Sequence, residues 1–146
     1  MKRSKVQPKR SPLAVALACA GTLAFATALP VFGKDMSVAL SGDQEVPPVT
    51  TSASGSGTIS VGADKTVSGS VMVKGVNATA AHIHEAAKGK NGPVIVPLTK
   101  NGDTYSVPEG KKLTAAQMDA LKAGNLYVNV HSDKYKGGEI RAQLQP

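Results

Sequence analysis

The chain has 146 residues, of which 41% are hydrophobic and only 3% aromatic, and its formal net charge is +7. Five of the 17 basic residues lie in the first ten positions, so the part from Lys34 onward is almost neutral, with twelve basic and ten acidic residues. This balance excludes the clustered basic surface with aromatic side chains that is typical of nucleic-acid binding. The roughly 113 residues after Gly33 suffice for one domain with a modest core.

Residues 1–33 are predicted to be a secretory signal that is cleaved. Their basic start is followed by an apolar run at 13–29, by Pro30 and by small residues that suit a cleavage site. Polar and small residues interrupt the run and no second apolar segment follows, so cleavage is favoured over a membrane anchor. Cleavage after Ala28 is the second alternative.

The single cysteine of the chain, Cys19, lies in this predicted signal. Ala16 stands three places before it, where a lipoprotein signal has leucine, so lipid attachment is disfavoured. We expect a mature domain at 34–146, periplasmic or secreted, with no membrane span and no disulfide. A bound metal ion is another means of stabilising such a domain.

Eight short strands are predicted from runs of alternating or apolar residues that are bounded by turn residues. They cover residues 36–41, 55–61, 66–74, 80–85, 93–98, 103–107, 125–131 and 138–144. The segment 44–54 is polar and contains two prolines, which disfavour a central strand. Asn101-Gly102, between the fifth and sixth runs, is typical of a hairpin turn.

One helix is predicted at 114–123. Thr114 and Gln117 have the spacing of a capping box, and Gly124 suits the position after the helix end. The pattern as a whole indicates an all-β fold, an antiparallel Greek-key sandwich or barrel of about eight strands with this one helix.

The three histidines of the chain are the strongest candidates for a functional site. His82 and His84 lie two residues apart on a predicted strand, so they share a face and lie about 6.5 to 7 Å apart. His131 ends another strand on the face opposite its aliphatic residues. If the two strands are neighbours, three imidazoles can converge on one metal ion. The alternative is that all three histidines are solvated surface residues.

Met72 is the predicted fourth ligand, because this flexible apolar side chain stands on the polar face of its strand. The structural alternative is that a loop or the helix covers it there. Imidazole with a thioether favours copper, as Cu(I) or Cu(II), over zinc. Met36 and Met118 are alternative thioethers, and zinc fits if Met72 only packs. No catalytic residues are identified: Ser132 and Asp133 adjoin His131 without forming a triad. We therefore expect a binding protein rather than an enzyme.

The chain resembles the CHRD domain, a module named for chordin, over residues 38–144. Five blocks carry the resemblance: Leu40 to Val49 with Gly42, Glu45, Pro47 and Pro48; Ala81-His82-Ile83-His84; Gly92-Pro93; Leu126 to His131; and Gly138 to Leu144. The resemblance implies an extracellular or periplasmic β-sandwich module, without a defined activity.

A more distant likeness is to copper–zinc superoxide dismutase. His82, His84 and His131 are similar to copper ligands of that enzyme, and Arg141 is similar to its anion-guiding arginine. The chain lacks the histidine that bridges the two metals, the zinc ligands and the disulfide cysteines. The likeness therefore implies at most one mononuclear copper site.

These observations lead to three functional hypotheses. The leading one is an exported domain that binds one copper ion and serves in copper binding, buffering or delivery, with a periplasmic protein partner as donor or acceptor of the ion. The second is a metal-free extracellular interaction module. The third is a redox enzyme of the dismutase type. The oligomeric state is not indicated by the sequence.

Overall fold

The computed structural model describes residues 33–146, in which nine strands form two antiparallel sheets packed face to face. The predicted secretory signal lies outside the described residues, apart from Gly33. The strands are β1 Lys34–Leu40, β2 Ser54–Val61, β3 Val67–Lys74, β4 Ala78–Glu85, β5 Val94–Pro97, β6 Thr99–Asn101, β7 Thr104–Ser106, β8 Leu126–Ser132 and β9 Ile140–Leu144, and the helix α1 is Ala115–Lys122. The all-β antiparallel fold predicted from the strand pattern is confirmed. No helix of residues 33–146 is long and apolar enough to cross a membrane.

Each sheet has its own strand order. The first sheet runs β1-β2-β3-β7-β6, and the second runs β5-β4-β8-β9. Alternate residues of the strands point inward and fill the space between the sheets. The most deeply buried of these include Ile59 and Val71 from the first sheet and Ile83 and Val128 from the second.

The hairpin prediction needs a correction. Residues 93–98 do not pair with 103–107, because β5 ends at Pro97, which has no N–H, and belongs to the second sheet beside β4. The hairpin is instead formed by β6, an additional short strand, and β7. Gly102 and Asp103 form its turn, and Gly102 has a φ of 60°, which suits glycine at the first turn position.

Along the chain, the helix follows β7 of the first sheet and precedes β8 of the second. Its predicted capping box is present: the Thr114 hydroxyl accepts from Gln117 N at 3.1 Å, and Thr114 N donates to Gln117 Oε1 at 2.9 Å. Gly124 follows the helix with a φ of 73°, as expected for a helix C-terminus. The helix itself is two residues shorter than predicted, because Thr114 and Ala123 are its caps.

Strand β8 is buried on both faces, although its alternating sequence predicts one polar face. Two loops cover the outer face of the second sheet, one formed by residues 41–53 and the other by 86–93. They are joined where Asn91 Nδ2 donates to Val46 O at 2.8 Å. The outer face of this sheet is therefore a partly enclosed polar surface, and it carries the three histidines.

Candidate metal centre

The three histidines lie together on the outer face of the second sheet. Strands β4 and β8 are neighbours, with His82 opposite Asn129 and His84 opposite Tyr127. One nitrogen atom of each histidine lies within 4.8 Å of one nitrogen of each of the others. The three side chains lie on the same face of the sheet, as the alternation along each strand predicts, and their strands are adjacent. We call His82, His84 and His131 the histidine cluster.

The imidazole of His84 is held with one nitrogen free. Its Nδ1 lies 2.9 Å from the carbonyl oxygen of Gly92. A carbonyl oxygen only accepts hydrogen bonds, so Nδ1 carries the proton and Nε2 of the neutral ring has a lone pair. Nε2 is buried and has no hydrogen-bond partner, and the residue is only 8% exposed.

His131 is held in the same tautomer. Its Nδ1 lies 2.8 Å from the carbonyl oxygen of Lys136, so its Nε2 also presents a lone pair. This Nε2 is 3.1 Å from Nδ1 of His82, which is therefore the donor in the bond between the two rings. Metal-bound histidines commonly have their other nitrogen bonded to a backbone carbonyl, as His84 and His131 have here.

The surroundings favour the neutral form of His82 and of His84. Burial lowers the pKa of His82, and the neighbouring His131 and His84 lower it further. Burial is also the main cause that lowers the pKa of His84, although the hydrogen bond to Gly92 and the nearby side chain of Asn129 act in the opposite direction. Neutral imidazole is the form that binds a metal ion, so both shifts extend the pH range in which these nitrogens can act as ligands.

The distances fit a single metal ion. With metal–nitrogen bonds of about 2.0–2.1 Å, ligand nitrogens around a tetrahedral ion are roughly 3.3 Å apart. Nδ1 of His82 and Nε2 of His131 are already at 3.1 Å, and one nitrogen of each of the three rings lies within 4.8 Å of the others. To bind an ion through Nδ1, His82 would take its other tautomer, with the proton on Nε2. Three imidazoles suit copper and zinc alike.

Met72 is not brought to the histidine cluster. It lies on β3 of the first sheet, between the inward-facing Val71 and Val73, and its side chain is 51% exposed on the outer surface of that sheet. The apolar core separates it from the outer face of the second sheet. Met36 is buried in that core and Met118 packs against it. The expectation of a thioether ligand from Met72 is therefore corrected.

A stack of three buried side chains adjoins the cluster. The ring of Tyr127 is nearly parallel to that of His84, with an angle of 6° and a centroid distance of 4.8 Å. The guanidinium carbon of Arg141 lies 3.4 Å from the centroid of Tyr127. Because β8 lies between β4 and β9, the two groups approach Tyr127 from neighbouring strands on either side.

A buried acid completes the surroundings. Glu45 is 4% exposed, Asn129 is 2% exposed, and both have a side-chain oxygen without a hydrogen-bond partner. Burial raises the pKa of Glu45, while Arg141 and Asn129 favour its charged form. Gly138, with a φ of 130°, lies against these two side chains, and any Cβ there would collide with them.

The strands and loops that build this site fall within one recognised sequence family. Residues 36–144 match the CHRD domain, and this range extends from β1 to the end of β9. The chain belongs to the CHRD domain family. Membership fits an extracellular or periplasmic module. No curated protein and no solved structure matches the chain.

In this CHRD domain, the sequence predicts the histidines, and a distant likeness singles out Arg141, but no site role is predicted for Tyr127, Asn129, Glu45 or Gly92. Asn129 and Tyr127 share a predicted strand face with His131, and this was the available signal for them. Glu45 and Gly92 lie in loops, where no periodicity indicates which side chain or carbonyl will face the sheet.

Proposed function

We propose that this CHRD domain binds one copper ion at the histidine cluster, and that its role is to bind, buffer or deliver copper outside the cytoplasm. The proposed ligands are His82, His84 and His131. The fourth position would be open to solvent or to a partner protein. An open position of this kind suits transfer of the ion.

The observation that carries the proposal is the state of His84. Its Nε2 is buried and unpaired, while its Nδ1 is fixed by the Gly92 carbonyl. Burying a polar atom without a hydrogen bond is unfavourable, typically by about 1–3 kcal/mol. A metal ion would satisfy that lone pair together with those of the other two histidines.

The preference for copper has two supports. Among divalent first-row ions, affinity for a given nitrogen site is highest for Cu²⁺. An exported domain would also be separated from the cytoplasmic thiols that compete for copper. Zinc is the competing ion, because the thioether that would have favoured copper does not reach the cluster.

The decisive experiment measures metal affinity on the purified domain. Copper and zinc are titrated separately against chelators of known affinity, with Cu(I) under anaerobic conditions. We expect one equivalent of copper, bound more tightly than zinc. Each of the variants His82→Ala, His84→Ala and His131→Ala should lose at least a factor of 100 in copper affinity while the β-sheet circular dichroism spectrum is retained.

Three outcomes would contradict the proposal in different ways. Tighter zinc than copper binding would assign the site to zinc. Unchanged copper stoichiometry and affinity in all three alanine variants would place copper elsewhere. A thermal stability that is indifferent to both metals would favour the metal-free interaction module suggested by the CHRD family.

A further inference from the structure

The contacts of Arg141 lead beyond the three ligands to residues that act on them. Arg141 is 1% exposed, and burial lowers its pKa. Its nitrogens donate to Asn91 Oδ1 at 3.3 Å and to Gln143 Oε1 at 3.2 Å, both neutral groups. The ion pairs formed within residues 33–146 are Lys112–Asp64 and Lys122–Asp119, so no carboxylate lies within 4 Å of its nitrogens. The acid that acts on Arg141 from farther away is Glu45, and burial favours the neutral form of that carboxyl.

This cation is connected to the histidine cluster by direct stacking. It lies 3.4 Å from the centroid of the Tyr127 ring, which in turn lies 4.8 Å from that of His84. The guanidinium is therefore within about 8 Å of the His84 imidazole. A buried charge at that distance is screened much less than a charge in water.

Tyr127 also contacts the loop that fixes His84. Its hydroxyl accepts from Gly92 N at 3.3 Å, and the carbonyl of the same Gly92 accepts from His84 Nδ1. Two contacts therefore fix the orientation of the His84 ring: the ring of Tyr127 stacks against its face, and the carbonyl of Gly92 accepts a hydrogen bond from its edge.

We propose that Tyr127 and Arg141 are positioning residues of the metal centre: Tyr127 fixes the plane of the His84 ring, and the buried charge of Arg141 makes the site favour Cu(I) over Cu(II). This inference rests on the proposed copper function. A nearby positive charge disfavours the doubly charged ion more than the singly charged one. If the ion lies about 10 Å from the guanidinium, and the effective dielectric constant is about 20, the charge of Arg141 lowers the Cu(II) affinity relative to the Cu(I) affinity by a factor on the order of ten.

Five forms of the domain test the proposal: the wild type, Arg141→Gln, Arg141→Lys, Tyr127→Leu and Lys134→Gln. Lys134 is the control, because it is an exposed cation in the loop after His131 whose charge is screened by solvent. Cu(I) and Cu(II) affinities are measured separately by chelator competition, and the Cu(II) form is examined by electron paramagnetic resonance. Thermal unfolding of each copper-free form establishes that it is folded.

For Arg141→Gln we expect the ratio of Cu(II) to Cu(I) affinity to rise about tenfold. Arg141→Lys, which keeps the charge, should change it by less, and Lys134→Gln should leave it within about twofold. Tyr127→Leu should alter the Cu(II) resonance spectrum, because the His84 ring loses the surface against which it lies.

Two results would overturn the inference. One is an unchanged affinity ratio in folded Arg141→Gln; if that variant does not fold, the neutral variant Arg141→Met replaces it, and an unchanged ratio there has the same meaning. The other is a Cu(II) spectrum of Tyr127→Leu identical to that of the wild type. Failure of the copper function itself is distinguishable, because it would appear in the wild type or in the histidine variants: no copper bound, copper bound less tightly than zinc, or copper affinity unchanged by all three alanine substitutions.

Discussion

The carbonyl oxygen of Gly92 accepts a hydrogen bond from Nδ1 of His84 at 2.9 Å, and this contact selects the tautomer in which Nε2 is the free nitrogen. The contact links a loop residue to a strand residue eight positions earlier. It leaves Nε2 of the imidazole with a lone pair that has no hydrogen-bond partner. A change in the position of Gly92 should therefore be felt at the proposed metal site.

Replacement of Gly92 by alanine tests this link. A Cβ at position 92 would collide with the backbone oxygen of Glu85, so the loop must move and the carbonyl of residue 92 must move with it. We expect copper affinity to fall by about 10- to 100-fold, the usual effect of losing a contact that orients a ligand. Chelator competition measures the change.

Gly89→Ala is the matched control in the same loop. A Cβ at position 89 meets nothing within 4 Å, although the φ of 77° will cost some stability. Copper affinity of this variant should equal that of the wild type. Equal affinities for both glycine variants and the wild type would show that the Gly92 carbonyl has no part in the site.

Met72→Leu tests the position of the thioether. Because Met72 lies on the exposed outer surface of the first sheet, we expect unchanged Cu(I) affinity and a change in the free energy of unfolding within about 0.5 kcal/mol. Anaerobic Cu(I) titration and urea unfolding measure the two quantities. A marked loss of Cu(I) affinity would instead place the methionine at a copper site.

The difference between the histidines and Met72 shows what the sequence can predict. Period two assigns each residue to a face of its strand, and for His82, His84, His131 and Met72 the predicted face is the observed one. The strand pattern does not reveal which sheet a strand joins. Strands β4 and β8 are neighbours in one sheet, and β3 belongs to the other, so three of the four residues meet.

The loop residues of the site could not be predicted for a different reason. Glu45 follows a short 3₁₀ helix at Gly42–Gln44, and the path of this loop depends on long-range contacts such as the bond between Asn91 and Val46 O. No local pattern records such contacts. The same limit applies to the hairpin: the sequence predicts its turn at Asn101-Gly102, one residue before the observed Gly102-Asp103, and assigns the wrong strand to one side of it.

Gly138→Ala tests the packing of the buried acid. The φ of 130° is unfavourable for alanine, and the added Cβ would collide with Glu45 Oε1 and come within 2.7 Å of Asn129 Nδ2. We expect a loss of about 2 kcal/mol or more in the free energy of unfolding. Urea unfolding measures it.

Gly137→Ala is the adjacent control. This position has open space for a Cβ and no positive φ, so its stability should be unchanged or slightly raised. An equal stability for the two alanine variants would mean that the contact of Gly138 with Glu45 and Asn129 is not tightly packed in solution.

The copper-free domain should lose stability as the pH falls below about 6.5. In the unfolded chain His82 and His84 bind protons near the ordinary histidine pKa of 6.5, whereas in the folded domain burial lowers both pKa values. At pH values between the unfolded and the folded pKa, the unfolded chain binds more protons than the folded domain. The free energy of unfolding therefore decreases with decreasing pH and levels off below the folded pKa values. Urea unfolding in the presence of a chelator, from pH 7.5 to 5, measures this slope.

The variants His82→Gln and His84→Gln separate this effect from that of Glu45. The pKa of Glu45 is raised by burial, so its contribution is present at low pH and is lost as the pH rises through the folded pKa, the opposite direction. Each glutamine variant should therefore show a smaller decrease in stability between pH 6.5 and 5 than the wild type. If both variants keep the full wild-type dependence of the unfolding free energy on pH, burial does not hold the two histidines neutral. The inference that their neutral, metal-binding form is favoured in the folded domain would then be wrong.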